Sequence, residues 1–287
     1  MTKSKPKNGI EILSQTPVTA SEFPRGVIRL AFRSNIDGAE DWALLWPPER
    51  GGHWCVVIHG YGSHGDQIFV REDIRRDWLQ RFRDRGMGIL APNHRNNGWM
   101  GPRAAADLHA LLGFVRREFG GKRFTFISGS MGGSCNLIYA VLYPKDVAAV
   151  VALCPVTDLG PFYSWRDANV PPASVAGSLA DIRAQYDGSP AERPDVYRRH
   201  SPLKNAARLT MPVYLAHADG DTIIPVEESR ALAAVCKNPR FRYHEMPGGH
   251  HDSPLAPDIM DEALDWVLGP AGAGAERGSK DARKTDL

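Results

Sequence analysis

The sequence predicts an α/β domain, a mostly parallel sheet covered by helices on both faces, and three observations carry that prediction. Unbroken apolar runs such as Trp54-Cys55-Val56-Val57-Ile58 read as strands buried on both faces. Segments with apolar residues at helical spacing, such as Ile74, Trp78, Leu79 and Phe82 set among charges, fall between those runs. The resulting order, β-β-β-α-β-α-β-α-β and later β-α-β-α, is that of a sheet wound with crossover helices.

Residues 1–24 read as an N-terminal extension, with a loose lead-in over 1–22. Residues 27–32 and 41–46 alternate well enough to form an antiparallel hairpin through Asn35-Ile36-Asp37-Gly38. The strand over 54–58 runs into His59-Gly60-Tyr61-Gly62-Ser63-His64-Gly65, and the helix that follows stops at Gly86. After a strand over 87–91, Pro102 opens a helix with Leu108, Leu111, Leu112 and Val115 on one face, closed by Gly120-Gly121. A β-branched and aromatic strand over 124–127 precedes a helical segment that reaches Tyr143, and 147–153 is a further buried strand.

Residues 156–210 break the rhythm. They are rich in Pro, Tyr, Arg and Asp and carry at most short helices, as over 175–186. Long irregular connections inside a compact domain tend to be functional, so the segment is expected to be a lid-like insertion or a pocket wall rather than an ordinary surface loop. Strands over 213–216 and 241–245 and helices over 225–236 and 258–268 complete a domain spanning 25–268. The tail over 269–287 is Gly, Ala and charge, a composition expected to be disordered.

Composition narrows the function. Of the 287 residues, 43% are hydrophobic and 24% charged, ordinary values for a globular chain. A formal net charge of +2 leaves no nucleic-acid or membrane footprint. The basic N-terminus lacks the apolar stretch of a secretory signal. The four scattered cysteines, without a C-x-x-C pair, suit reduced thiols in a cytoplasmic protein. No cofactor or metal is expected.

The chain is organised around Ser128-Gly129-Ser130-Met131-Gly132, where a strand gives way to a helix. A serine in a sharp strand-to-helix turn needs small neighbours two positions to either side, the G-x-S-x-G elbow, here with Ser128 in place of the first glycine. Alone, the stretch could equally be a glycine-rich turn or a phosphate cradle. A serine hydroxyl becomes a useful nucleophile only beside a base, which in turn needs an acid to orient it. The loop over 217–225, between a strand and a helix opened by Pro225, offers Asp221 as that acid. Asp219 could shape the turn instead, and Asp158 is a weaker candidate. The loop after the last strand holds Met246-Pro247-Gly248-Gly249-His250-His251-Asp252. There His250 is the first choice for the base and His251 an open alternative. An oxyanion needs two preorganised N–H donors. Met131, at the start of the elbow helix, and Tyr61, in His59-Gly60-Tyr61-Gly62, are the expected pair.

Taken together these pieces resemble the α/β-hydrolase family, and Ser201-Pro202-Leu203 with the 217–225 pattern is similar to its prolyl oligopeptidase and dienelactone hydrolase branches. The resemblance spans about residues 25–268. It implies an eight-stranded, mostly parallel sheet, a Ser130, Asp221, His250 triad, and acyl transfer through a covalent serine intermediate. It leaves the substrate open. No propeller domain precedes the catalytic segment, which favours small esters over peptides. A peptidase of short peptides, an acyltransferase using an acceptor other than water, and a degenerate fold that only binds are the other readings. Trp99, Phe162, Tyr163 and Trp165 are expected near the catalytic edge.

Overall fold

A computed structural model describes residues 9–169 and 172–269, with only the backbone described at 172–176. The tail expected to be disordered therefore lies almost wholly outside the described residues. The strands are β1 (Ile10–Pro17), β2 (Ile28–Ser34), β3 (Glu40–Trp46), β4 (His53–Val56), β5 (Gly88–Pro92), β6 (Arg123–Gly129), β7 (Ala149–Leu153), β8 (Val213–Ala218) and β9 (Phe241–Met246). The helices are α1 (Gln67–Val70), α2 (Glu72–Asp84), α3 (Pro102–Glu118), α4 (Ser130–Leu142), α5 (Leu159–Asn169), α6 (Pro172–Gln185), α7 (Pro194–Arg199), α8 (Glu227–Val235) and α9 (Pro257–Leu268).

All nine strands form one sheet in the order β1-β2-β3-β5-β4-β6-β7-β8-β9. β1, β2 and β3 pair antiparallel, and β3 joins β5 antiparallel. From β5 through β4 to β9 every pairing is parallel. Eight strands were expected; β1 is the ninth, formed from what reads in sequence as a loose lead-in. Its side chains are largely exposed, and its pairing with β2 is interrupted between Ile12 and Ser14. An edge strand of this kind carries little apolar alternation, so its sequence gives only a weak signal.

Side-chain alternation along the strands divides the core between the two faces of the sheet. Trp54, Val56, Phe124, Phe126, Val150, Val213 and Leu215 pack with α3 and α4 on one face. Cys55, Val57, Ile127, Val151, Tyr214 and Ala216 pack with α2 and α9 on the other. Both neighbours of each central strand are therefore hydrophobic, which produces the unbroken apolar runs. The parallel strands all end at one edge, where the loops after β4, β6, β7, β8 and β9 converge. Between β7 and β8, where at most short helices are expected, the described residues form three α-helices, one of them 14 residues long, and a short 3-10 turn. Among the described residues no helix is long and apolar enough to cross a membrane.

Candidate active site

Ser130 is the first residue of α4 and takes a left-handed backbone, φ 57°, a strained conformation for a residue with a side chain. The strain is imposed by the tightness of the turn. A Cβ built on Gly132 would lie 2.1 Å from the Ile58 carbonyl oxygen and 2.8 Å from the Ser128 Cβ, so only glycine fits there. Ser128 does more than fill a small-residue position: its hydroxyl accepts the Ile58 N–H at 2.9 Å. That bond ties the elbow strand to the chain just before His59-Gly60-Tyr61-Gly62.

Asp221 and His251 reach Ser130 from the two loops beyond. His251 Nε2 lies 2.8 Å from Ser130 Oγ, and His251 Nδ1 lies 2.6 Å from Asp221 Oδ2. The residue that bridges serine and carboxylate is thus His251, the alternative, and not His250. His250 is exposed; its N–H is held by Ser253 Oγ at 2.8 Å and its ring nitrogen accepts the Asp252 N–H at 3.3 Å. The cause lies in the approach to the turn. Gly248 and Gly249 both have positive φ, 68° and 77°, and the Gly249 carbonyl oxygen would lie 2.3 Å from a Cβ on Gly220. A tight turn over 250–253 follows, closed by the Ser253 N–H donating to the His250 carbonyl. This path turns the first histidine to solvent and the second to the elbow.

The two candidate aspartates separate just as clearly. Asp219 shapes the loop by accepting the Gly248 N–H at 2.5 Å, while Asp221 faces the histidine. Asp158 is buried elsewhere and pairs with Lys204 Nζ at 3.0 Å. Asp221 Oδ1 accepts the N–H groups of Ile223 and Ile224, at 2.8 and 3.0 Å. Its Oδ2 also meets His217 Nε2 at 3.1 Å, and the same ring nitrogen lies 3.1 Å from the Ile224 carbonyl oxygen. Those partners fit the tautomer with hydrogen on Nε2, leaving Nδ1 to accept from Ser229 Oγ at 2.8 Å. His217 was not singled out in the sequence; its position four residues before Asp221 was the available signal.

These contacts set the electrostatics. Burial opposes the Asp221 charge, but hydrogen bonds from His217, His251 and the Ile224 N–H outweigh it and hold the carboxyl well below the usual range. Burial likewise opposes the His251 imidazolium, yet the bonds to Asp221 and Cys154 prevail and its pKa is raised. The charged form of the imidazole is therefore stabilised in place.

Of the two expected donors, Met131 follows Ser130 in α4 and Tyr61 lies in the loop after β4. The Gly60 N–H is taken by Gln67 Oε1 and the Gly62 N–H by Asn97 Oδ1, each at 2.9 Å. Among the described residues the N–H groups of Tyr61 and Met131 have no acceptor. Met131 stands in the first turn of α4, where the helix dipole favours negative charge. The Tyr61 side chain is tied down from α6: its hydroxyl donates to Asp181 Oδ2 at 3.0 Å, which also accepts Asn97 Nδ2 at 2.9 Å. A Cβ on Gly177 would lie 2.8 Å from the Tyr61 hydroxyl, so α6 makes room for it. Gln67, Asn97 and Asp181 carry no motif, and sequence reading passed over them.

Of the aromatics expected at this edge, Trp99, Phe162 and Trp165 form a row with Tyr61, its ring centroids 6.0, 6.2 and 5.9 Å apart in the order Tyr61, Trp99, Phe162, Trp165, while Tyr163 is half-buried against the core. Trp99 and Phe162 are buried within the core. The small cavity that opens beside Ser130, about 30 Å³, lies instead against Gly60, Gln67, Arg71, Ile74, Trp78, Cys154 and Leu255.

A family model described as the alpha/beta hydrolase fold matches residues 55–203, just over half of the chain. A monoacylglycerol lipase of Mycolicibacterium smegmatis is 24% identical across 78% of this chain and 91% of its own length. Esterase LipC of Mycobacterium tuberculosis is 28% identical across 77% of this chain, a match that spans 54% of that esterase. The solved structure of acetyl xylan esterase 1 from a Thermoanaerobacterium species superposes with a TM-score of 0.64 at 18% identity, over 90% of this chain and 87% of that one. At that identity the likeness is one of fold. A strained serine between sheet and helix, with carboxylate and imidazole converging from the loops after β8 and β9, agrees with the sequence match: the chain belongs to the α/β-hydrolase family.

Proposed function

We propose that the protein is a serine hydrolase that cleaves carboxylic esters of small or medium size through an acyl-enzyme intermediate. The observation that carries this reading is the position of His251, within hydrogen-bond reach of Ser130 Oγ on one ring nitrogen and Asp221 on the other. In this mechanism His251 takes the Ser130 proton as Oγ attacks the ester carbonyl, and Asp221 orients the ring and stabilises its charged form. The N–H groups of Tyr61 and Met131 receive the developing oxyanion. His251 then delivers its proton to the leaving alkoxide, which departs as alcohol. A water molecule, deprotonated by the same histidine, attacks the acyl-serine and regenerates the free hydroxyl.

The names of the mycobacterial relatives, a lipase and an esterase, support ester substrates. The limited cavity beside Ser130 supports a compact group on one side of the scissile bond. The test is hydrolysis of p-nitrophenyl esters from acetyl to decanoyl beside aminoacyl p-nitroanilides, with Ser130→Ala as control. Ester cleavage should fall by about 10⁶-fold in the variant. Faster anilide cleavage would replace esterase by peptidase, and activity retained in Ser130→Ala would overturn the nucleophile assignment.

A further inference from the structure

Cys154 directly follows β7 in a left-handed backbone, φ 44°, as Ser130 directly follows β6. Strain of this kind, held at two neighbouring strand ends, marks positions where the chain is turned toward a site. Of the three fully buried cysteines, Cys55, Cys135 and Cys154, the last is the one that lines the cavity beside Ser130. Its sulfur joins a carboxylate oxygen of Asp221 and a ring nitrogen of His251 in a group whose ligating atoms all lie within 4.8 Å of one another.

Thiolate, imidazole and carboxylate are the donors that zinc prefers, and three of them with one open position make a tetrahedral site. Zn–S and Zn–N bonds of about 2.3 and 2.0 Å place neighbouring ligand atoms roughly 3.5 Å apart, a spacing of the same order as that of the group. The cavity, about 30 Å³, has room for one small fourth ligand, a water molecule, unless Ser130 Oγ takes that place.

We infer that Cys154, Asp221 and His251 form an inhibitory site for a soft divalent cation, Zn²⁺ being the best fit. This rests on the assignment of Asp221 and His251 to the triad. On binding, the Cys154 thiol, and the His251 ring where it is protonated, lose a proton to solvent, and the sulfur and the ring nitrogen each donate a lone pair to the metal; no oxidant or reductant takes part. The ion occupies the imidazole and carboxylate that would otherwise activate Ser130, so hydrolysis stops until the metal is removed. Hard cations such as Mg²⁺ and Ca²⁺ prefer all-oxygen ligands and should leave the enzyme active.

The test pairs binding with activity. Equilibrium dialysis of the metal-free protein against Zn²⁺, and against Co²⁺ as a spectroscopic probe, measures binding without reference to turnover. One Zn²⁺ per chain and a thiolate-to-cobalt charge-transfer band are expected in the wild type and in Ser130→Ala. Ester hydrolysis by the wild type should be blocked by Zn²⁺, untouched by Mg²⁺ and restored by a chelator. In Cys154→Ala and Cys154→Ser the charge-transfer band should vanish, and the inhibitory Zn²⁺ concentration, each variant measured against its own metal-free rate, should rise at least tenfold. Equal Zn²⁺ sensitivity with and without Cys154, or no cobalt–thiolate band in the wild type, would overturn the proposal. A wild type that binds Zn²⁺ as described yet hydrolyses no ester would leave the metal site standing and remove the esterase reading.

Discussion

Ser130 is held by its own neighbours in the chain, whereas His251 is held by residues far from it in sequence. The elbow draws its shape from Ser128, Gly129, Gly132 and a strand and helix that are buried on every side. The loop over 247–253 is largely exposed and takes its path from Gly220, Asp219 and its own Ser253 hydroxyl. Local sterics, closed by a long-range clamp at Ile58, thus fix the proposed nucleophile, and tertiary contacts choose the proposed base. Substitutions in the elbow should therefore damage stability and chemistry together, while substitutions in the base loop should separate the two.

The largest separation is expected at the acid. Asp221→Asn should lower kcat by about 10⁴-fold, because the amide cannot hold the imidazole in the required tautomer. Asp219→Asn should stay close to wild type in turnover, its role being to accept one loop N–H. Comparable losses in the two variants, measured by ester hydrolysis, would erase the distinction drawn between these carboxylates.

Next comes the elbow itself. Gly132→Ala forces a Cβ against the Ile58 carbonyl and should cost about 3 kcal/mol of stability in denaturant melts, with activity lost alongside. Gly248→Ala has open space around it and only a positive φ to oppose it, so about 1 kcal/mol is expected. Equal costs would mean that the elbow is no tighter than the base loop.

Smaller still is the effect of loosening the oxyanion loop from α6. Asp181 touches no reacting atom; it positions the loop through Tyr61 and Asn97. Asp181→Ala should lower kcat about tenfold with little change in KM, less than the ~10²-fold cost of losing a donor outright. Asp181→Asn, which can still accept both bonds, should recover most of that loss. A change in KM alone would assign Asp181 to substrate binding.

The pH profile sharpens the account of the base. His251 must be neutral to accept the serine proton, so kcat/KM should fall as pH drops through its pKa in the free enzyme. Since Asp221 raises that pKa, the acid limb should lie above the ordinary histidine value of about 6.5. In Asp221→Asn the limb should move to lower pH, and an unchanged limb would show that Asp221 does not act on His251.

What the sequence displays follows the same division. Strands β4, β6, β7 and β8 announce themselves because burial on both faces leaves few polar positions in them. The elbow is legible because the space at Gly132 excludes larger side chains, and Gly62 because its positive φ favours glycine. Edge strand β1 is not, since exposure on most of its length removes the pattern. Nor is the choice between His250 and His251, which depends on where Gly249 passes Gly220, a contact 29 positions apart in the chain. Asp181 and Asn97 escape for the same reason: single polar residues gain their meaning only when α6 is laid over the oxyanion loop.

The most direct measurement is a side-by-side comparison of His251→Ala and His250→Ala, in p-nitrophenyl ester hydrolysis and in labelling by a fluorophosphonate probe, with melting curves to establish that both fold. The account predicts that His251→Ala loses ~10⁴-fold or more of its activity and labels hardly at all, whereas His250→Ala stays within a few fold of wild type in both assays. A dead His250→Ala beside an active His251→Ala, both folded, would contradict it and return the base to the first histidine.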